Sequence, residues 1–136
     1  MGRFVFVVQT DPAEGREREY NEWYDGIHLK EVCSFPGFTG ARRFRLVDGD
    51  GKHKYLALYE LETDDPQRDL AVLTAAAGTD KVQMTDALDL SKVSTALFEQ
   101  ISERLTSQTV ESQRLLTPAV LDFGPSTKIG PIKSIF

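Results

Sequence analysis

The chain reads as an α+β domain in the split order β-α-β-β-α-β, and three observations predict it. Four stretches rich in β-branched and aromatic residues (3–10, 38–47, 54–63 and 91–105) suit strands. An aromatic and apolar stripe at spacings of three and four over 14–32 suits an amphipathic helix. Asp-Pro, Pro-Gly and Gly-rich punctuation separates these stretches. Such an order builds a four-stranded antiparallel sheet with both helices on one face. The other sheet face also carries apolar side chains and must be covered, so a homodimer is expected from the same physics.

The first strand, Arg3 to Thr10, stops at Asp11-Pro12, which cannot continue a ladder. From Glu14 to Val32, Tyr20, Trp23, Tyr24, Ile27, His28 and Val32 line one helical face over about five turns. Acidic residues gather in the first half, where they suit the macrodipole. Gly26 falls inside the pattern and should weaken or bend the helix, at a cost of roughly 1 kcal/mol relative to Ala. Pro36-Gly37 ends it.

Phe38 to Val47 is the second strand, and Asp48-Gly49-Asp50-Gly51 is a hairpin turn. In the third strand, Lys54 to Thr63, alternation puts Tyr55, Ala57, Tyr59 and Leu61 on one face and Leu56 and Leu58 on the other. Asp64-Asp65-Pro66 is a helix start, with a modest stripe of Leu70, Leu73 and Thr74 running up to Gly78. A second short helical piece is expected over Asp80 to Leu88, and the fourth strand lies within Ser91 to Leu105. The domain therefore spans 1–105. Residues 106–136 show no helical period and are too apolar for a plain disordered tail, so they are expected to form an extended C-terminal arm.

Bulk properties narrow the function. The length of 136 residues is that of one domain. A net charge of -5, with pI near 5.0, argues against nucleic acid, whose binding relies on a basic face. One cysteine, Cys33, excludes an internal disulfide and a Cys-based zinc site. No stretch approaches the roughly 18–20 apolar residues of a membrane span, and the N-terminal run lacks a signal-peptide pattern. A cytoplasmic location without membrane contact is the resulting expectation. The Asp48–Gly51 turn lacks the later acidic ligand of a calcium loop, and two histidines on separate elements predict no catalytic metal.

The motif Tyr20-x-x-Trp23-Tyr24-x-x-x-His28-x-x-x-Val32, then Phe35-Pro36-Gly37-Phe38 and Arg43-Phe44, resembles the ferredoxin-like, dimeric α/β-barrel superfamily, nearest to its EthD-like members. The resemblance covers residues 3 to about 104. It departs at Lys30, where many EthD-like chains carry proline, so the helix can continue past His28. Its members include cofactor-free monooxygenases, cyclases, isomerases and haem-degrading enzymes. The resemblance therefore implies a fold and a range of chemistries rather than one activity.

His28 is the leading candidate for acid–base chemistry, because an imidazole takes and returns protons near neutrality. Tyr24 and Tyr59 are expected to assist it with hydroxyls, with Glu31 a possible partner one turn on. Trp23, Tyr55, Phe6 and Phe44 are candidates for binding a small apolar or aromatic molecule. Core packing competes with function at each of these aromatic positions. Arg42, Arg43 and Arg45 fit strand-edge ion pairs better than a carboxylate clamp, and Cys33, at a helix end, is not expected to be an activated thiol. His53, beside the turn, is expected to be exposed. The resulting expectation is a cofactor-independent cyclase, isomerase, lyase or monooxygenase acting on a ketone, phenol or lactone. Its rivals are a haem-binding or haem-degrading protein with His28 as axial ligand, and a non-catalytic ligand carrier or interaction protein.

Overall fold

A computed structural model describes residues 1–116. Its first compact unit, Met1–Ile101, contains β1 (Gly2–Thr10), α1 (Glu17–Trp23), a π-helical turn (Tyr24–His28), α2 (Leu29–Cys33), β2 (Phe38–Arg45), β3 (Tyr55–Thr63), α3 (Pro66–Ala76) and β4 (Ser94–Glu99). The sheet order is β2-β3-β1-β4 with every pairing antiparallel, the ferredoxin-like α+β topology expected from the sequence.

Two-residue periodicity sorts the sheet faces. On β3, Tyr55, Ala57, Tyr59, Leu61 and Thr63 are buried and face the helices. On β1, Phe4, Phe6, Val8 and Thr10 stand opposite Leu61, Tyr59, Ala57 and Tyr55 on that same face. Tyr20, Trp23, Tyr24 and Val32 from the first helical segment join the core, as do Phe38, Ala87 and Leu88. The reverse face carries Val5, Val7, Leu56, Leu58, Phe44 and Phe98. Phe44 is 47% exposed and Phe98 55%.

Several element boundaries differ from the sequence reading for local reasons. The first helix starts at Glu17 rather than Glu14, because Gly15 adopts φ +75, outside the helical region. At Gly26 the helix widens into the π turn and then resumes. Gly37 turns the chain into β2 at φ +91, and a Cβ there would meet Asp69 Oδ2 at 2.5 Å. The Asp65 side chain caps α3 by accepting from the Arg68 amide at 3.1 Å, as the sequence indicated.

No helix forms over 80–88. That segment is irregular, tied down by bridges from Ala77 to Val82 and from Pro12 to Leu88. β4 is shorter than 91–105 because Leu90–Lys92 forms a 3-10 turn capped by Asp89. At its far end, β4 stops at Glu99, opposite Phe4. The expected extended arm over 106–136 begins instead as a helix, α4 (Ser107–Leu116), where Thr106 Oγ1 accepts from the Thr109 amide at 3.0 Å. The remainder of the arm lies outside the described residues. No helix among the described residues is long and apolar enough to cross a membrane.

Candidate functional site

The π turn places His28. In an α-helix, residues five apart point about 140° away from each other. Trp23 and His28 are five apart, yet their rings stack at 4.4 Å with an interplanar angle of 24°. The wider turn brings them onto one face, and such turns occur often at functional sites. Tyr24 meets the same imidazole edge-on at 5.2 Å and 86°.

His28 is half-buried, and its Nδ1 is buried with no hydrogen-bond partner among the described residues. Burial pushes its pKa down to about 4, so the ring is neutral at physiological pH. Glu31 does not serve it. That carboxylate accepts instead from the Gln83 amide at 2.9 Å and from Gln83 Nε2 at 3.2 Å. Trp23 Nε1 donates to the Gln83 carbonyl at 3.0 Å, so the irregular 77–92 loop is strapped to the helix beside His28.

Below the helix, the Tyr59 hydroxyl is also buried without a hydrogen-bond partner among the described residues. Burial raises its pKa strongly, and the neighbouring Tyr24 phenol adds to the shift. Burial raises the Tyr24 pKa too, partly offset by Thr10, Tyr59 and the charge of Arg43. Phe6 packs against Tyr59 at 6.2 Å. The structure thus brings together Trp23, Tyr24, His28, Tyr59 and Phe6 in one aromatic cluster holding two orphaned polar atoms.

Tyr55 and Phe44 lie elsewhere. The Tyr55 hydroxyl donates to Glu17 Oε2 at 2.5 Å and accepts from Asn21 Nδ2 at 3.2 Å, leaving it committed at the far end of the helix. Phe44 stands on the opposite sheet face, since two-residue alternation separates it from its neighbour Arg43. Both border a cleft of about 420 Å³ together with Asn21, Asp25, Leu29, Arg43 and Arg45. Arg43 is the residue whose position the sequence did not reveal: it stands between this cleft and the ring of Tyr24.

The remaining candidates resolve simply. His53 is not exposed as expected. Its side chain is 14% exposed and its Nδ1 lies 2.8 Å from Asp11 Oδ2, while Asp11 Oδ1 accepts from the Lys54 amide at 2.8 Å. Burial, then Glu60, pushes the Cys33 thiol up, which disfavours a reactive thiolate. No group of three or more His, Cys, Asp or Glu side chains that could hold a metal occurs among the described residues.

No family model and no curated protein matches the chain. Solved structures do. MhuD from Mycobacterium tuberculosis, a haem-degrader with two haems bound in its active site, is 20% identical, with a TM-score of 0.55 over 75% of this chain and 99% of that one. A dimeric ferredoxin-like protein from an uncultured marine organism is 15% identical, with a TM-score of 0.53 over 76% of this chain and 100% of that one. A protein from Shewanella loihica assigned as a monooxygenase is 12% identical, with a TM-score of 0.53 over 75% and 97% respectively. At these identities the likeness establishes the fold and leaves chemistry to the site. The chain thus shares the ferredoxin-like α+β fold of monooxygenase and haem-degrader structures, with EthD-like proteins not singled out among them.

Proposed function

We propose that the protein is a cofactor-independent enzyme in which His28 moves a proton on a small aromatic or apolar ketone, phenol or lactone, assisted by the hydroxyls of Tyr24 and Tyr59. The observation that carries this reading is the pair of orphaned polar atoms, His28 Nδ1 and Tyr59 OH, buried in one aromatic cluster. Leaving a buried polar group unpaired costs roughly 1–3 kcal/mol, and a substrate that pairs with these groups recovers that cost.

A neutral imidazole accepts a proton from an acidic O–H or an activated C–H. The electron pair left behind becomes a phenolate or enolate, to which a neutral phenol donates a hydrogen bond. Because burial holds His28 well below the usual histidine pKa, the imidazolium it forms is a strong acid and readily returns the proton. Trp23 and Phe6 offer flat surfaces suited to an aromatic substrate. Cyclisation, isomerisation, elimination, or reaction of the carbanion with O2 would follow from the same first step.

The test is turnover of a panel of polyhydroxylated aromatics, cyclic ketones and unsaturated lactones, followed by absorbance and oxygen uptake. For a substrate so found, His28→Gln should lower kcat by about 10²–10⁴-fold, the usual worth of a positioned general base. Full turnover in that variant would overturn the mechanism. A haem role is tested in parallel: a new visible band on adding haem to the wild-type protein, lost in His28→Ala, would replace the acid–base reading with axial ligation. Tight binding of panel compounds with no conversion by any assay would mark a carrier.

A second copy is the proposed partner, seated on the sheet face that bears Val5, Val7, Leu58, Phe44 and Phe98. The solved marine protein that shares this fold is dimeric, which supports that choice of cover.

A further inference from the structure

The cause of the His28 shift is burial. A full charge lies against the ring of its partner Tyr24. Arg43 rises from the helix-facing side of β2 with its side chain only 11% exposed. Nη1 donates to Asp25 Oδ1 at 2.8 Å, and Nη2 donates to Asn21 Oδ1 at 2.9 Å. The guanidinium carbon stands 4.3 Å from the Tyr24 ring centroid, with the Tyr55 and Tyr20 rings at 5.1 and 5.3 Å. Nε is buried with no hydrogen-bond partner among the described residues.

Removing a guanidinium from water is expensive, and an ordinary strand-edge ion pair would leave it solvated. Here the polar contacts land on residues 21 and 25 and the aromatic contact on residue 24. Arg43 thereby grips the last turn of α1 and the first residues of the π turn together. Its countercharge, Asp25, is 66% exposed, so it offsets the guanidinium only in part and the field on the aromatic side stays net positive.

We infer that Arg43 is a positioning residue of this site: it fixes Tyr24 against His28 and supplies the positive field that supports an oxyanion formed on the substrate at the Tyr24 hydroxyl. The inference rests on the proposed roles of His28 and Tyr24. It narrows the substrate class to compounds whose reaction places negative charge on oxygen, phenols and enolisable ketones above all. In that step the substrate proton goes to the His28 imidazole. The O–H pair of a phenol stays on its oxygen, whereas in a ketone the C–H pair forms the enolate C=C bond and the carbonyl π pair moves onto oxygen. That oxygen accepts a hydrogen bond from Tyr24. The charge of Arg43 lowers the pKa of Tyr20, Tyr24 and Tyr59 alike against the upward push of burial, as a field centred behind these rings should.

The experiment uses 4-nitrophenol, whose absorbance distinguishes bound phenol from bound phenolate, with the full-length protein. Arg43→Met keeps the apolar stem and removes the charge, and it should lower the bound phenolate-to-phenol ratio about tenfold, one pKa unit. Arg43→Lys keeps the charge without the two-pronged grip and should stay within about threefold of wild type. Asp25→Asn, at an exposed position, should raise the ratio. It keeps the test available should Arg43→Met not fold.

Tyrosine ionisation, followed by ultraviolet difference titration with Tyr24→Phe subtracted, should show Tyr24 titrating at higher pH in Arg43→Met. An unchanged ratio in Arg43→Met with the probe still bound, or a ratio unmoved by Asp25→Asn, overturns the role of Arg43 and leaves the His28 reading standing. Probe binding and ionisation that neither His28→Ala nor Tyr24→Phe alters overturns the site itself. An unshifted Tyr24 titration in Arg43→Met overturns the arginine inference whether or not the probe binds.

Discussion

A histidine that stays neutral when folded makes stability depend on pH in a defined direction. Unfolded, His28 takes up its proton near the ordinary value of 6.5; folded, it does so only at about 4. Between these values the unfolded chain binds more protons, so stability is full above about 6.5 and falls as pH drops toward about 4. From about pH 7 to about pH 5 the loss due to this residue should be about 2 kcal/mol. Urea unfolding at both pH values checks it, because His28→Gln should remove this part of the dependence. The carboxylates held low by their partners, Glu17, Asp86 and Asp89, lose their contributions at lower pH and are common to both proteins. Tyr59 makes a complementary case. Its hydroxyl is buried without a partner among the described residues, so Tyr59→Phe should raise stability by about 1 kcal/mol in thermal unfolding. A loss of stability instead would show that the hydroxyl is satisfied in the free protein and is not held for a substrate.

Two glycines that look alike in sequence act differently in the elements they serve. Gly26 lies in the π turn, and a Cβ there meets nothing within 4 Å, so Gly26→Ala should stabilise by up to about 1 kcal/mol through helix propensity. Gly37→Ala forces a side chain onto φ +91 and into Asp69, and should destabilise by about 2 kcal/mol or more. Calorimetry of the two variants checks both signs.

The same contrast marks how far sequence reading reaches. Strand alternation in β3 and the Asp65-Pro66 helix start are local properties, and both were legible. The ring partners Trp23 and Tyr24 were visible around His28 as an aromatic stripe. Their stacking geometry was not, because period counting assumes an α-helix and the site depends on a wider turn. Arg43 and Phe44 were visible as residues of one strand, but which of them meets the helices depends on register. That register shifts by one residue at the irregularity between Phe38 and Gly40, which nothing local announces. The 77–92 segment has enough apolar residues to suggest a helix. Its irregular path is fixed by bonds to Trp23, Glu31 and Ala13 that are distant in sequence.

For the molecule as a whole, the unbalanced quantity is the sheet's second face. The helices bury the β3 side chains of one face, while Val5, Val7, Leu56 and Leu58 on the other are only half-buried and Phe44 and Phe98 remain open. Scattered exposed apolar side chains are ordinary, but two open and four half-buried ones on one sheet face suit association better than water. An isologous pairing would let each copy use the same patch, which is the commonest solution for a chain of this kind. Phe98 is the sharpest probe: it stands opposite Val5 in the β1–β4 ladder and makes no ring contact that the core needs. Phe98→Glu should leave the far-ultraviolet circular dichroism unchanged, because the helix-facing core is untouched. Sedimentation equilibrium should then shift from twice the chain mass to the 15.2 kDa of one chain. A wild-type protein that sediments as one chain at about 100 µM would dismiss the second copy as cover. A Phe98→Glu protein that still pairs would move the interface off this face. Because the aromatic cluster of His28 lies on the opposite side of the sheet, a monomeric Phe98→Glu protein should keep its affinity for 4-nitrophenol within about twofold, which separates assembly from chemistry in a single variant.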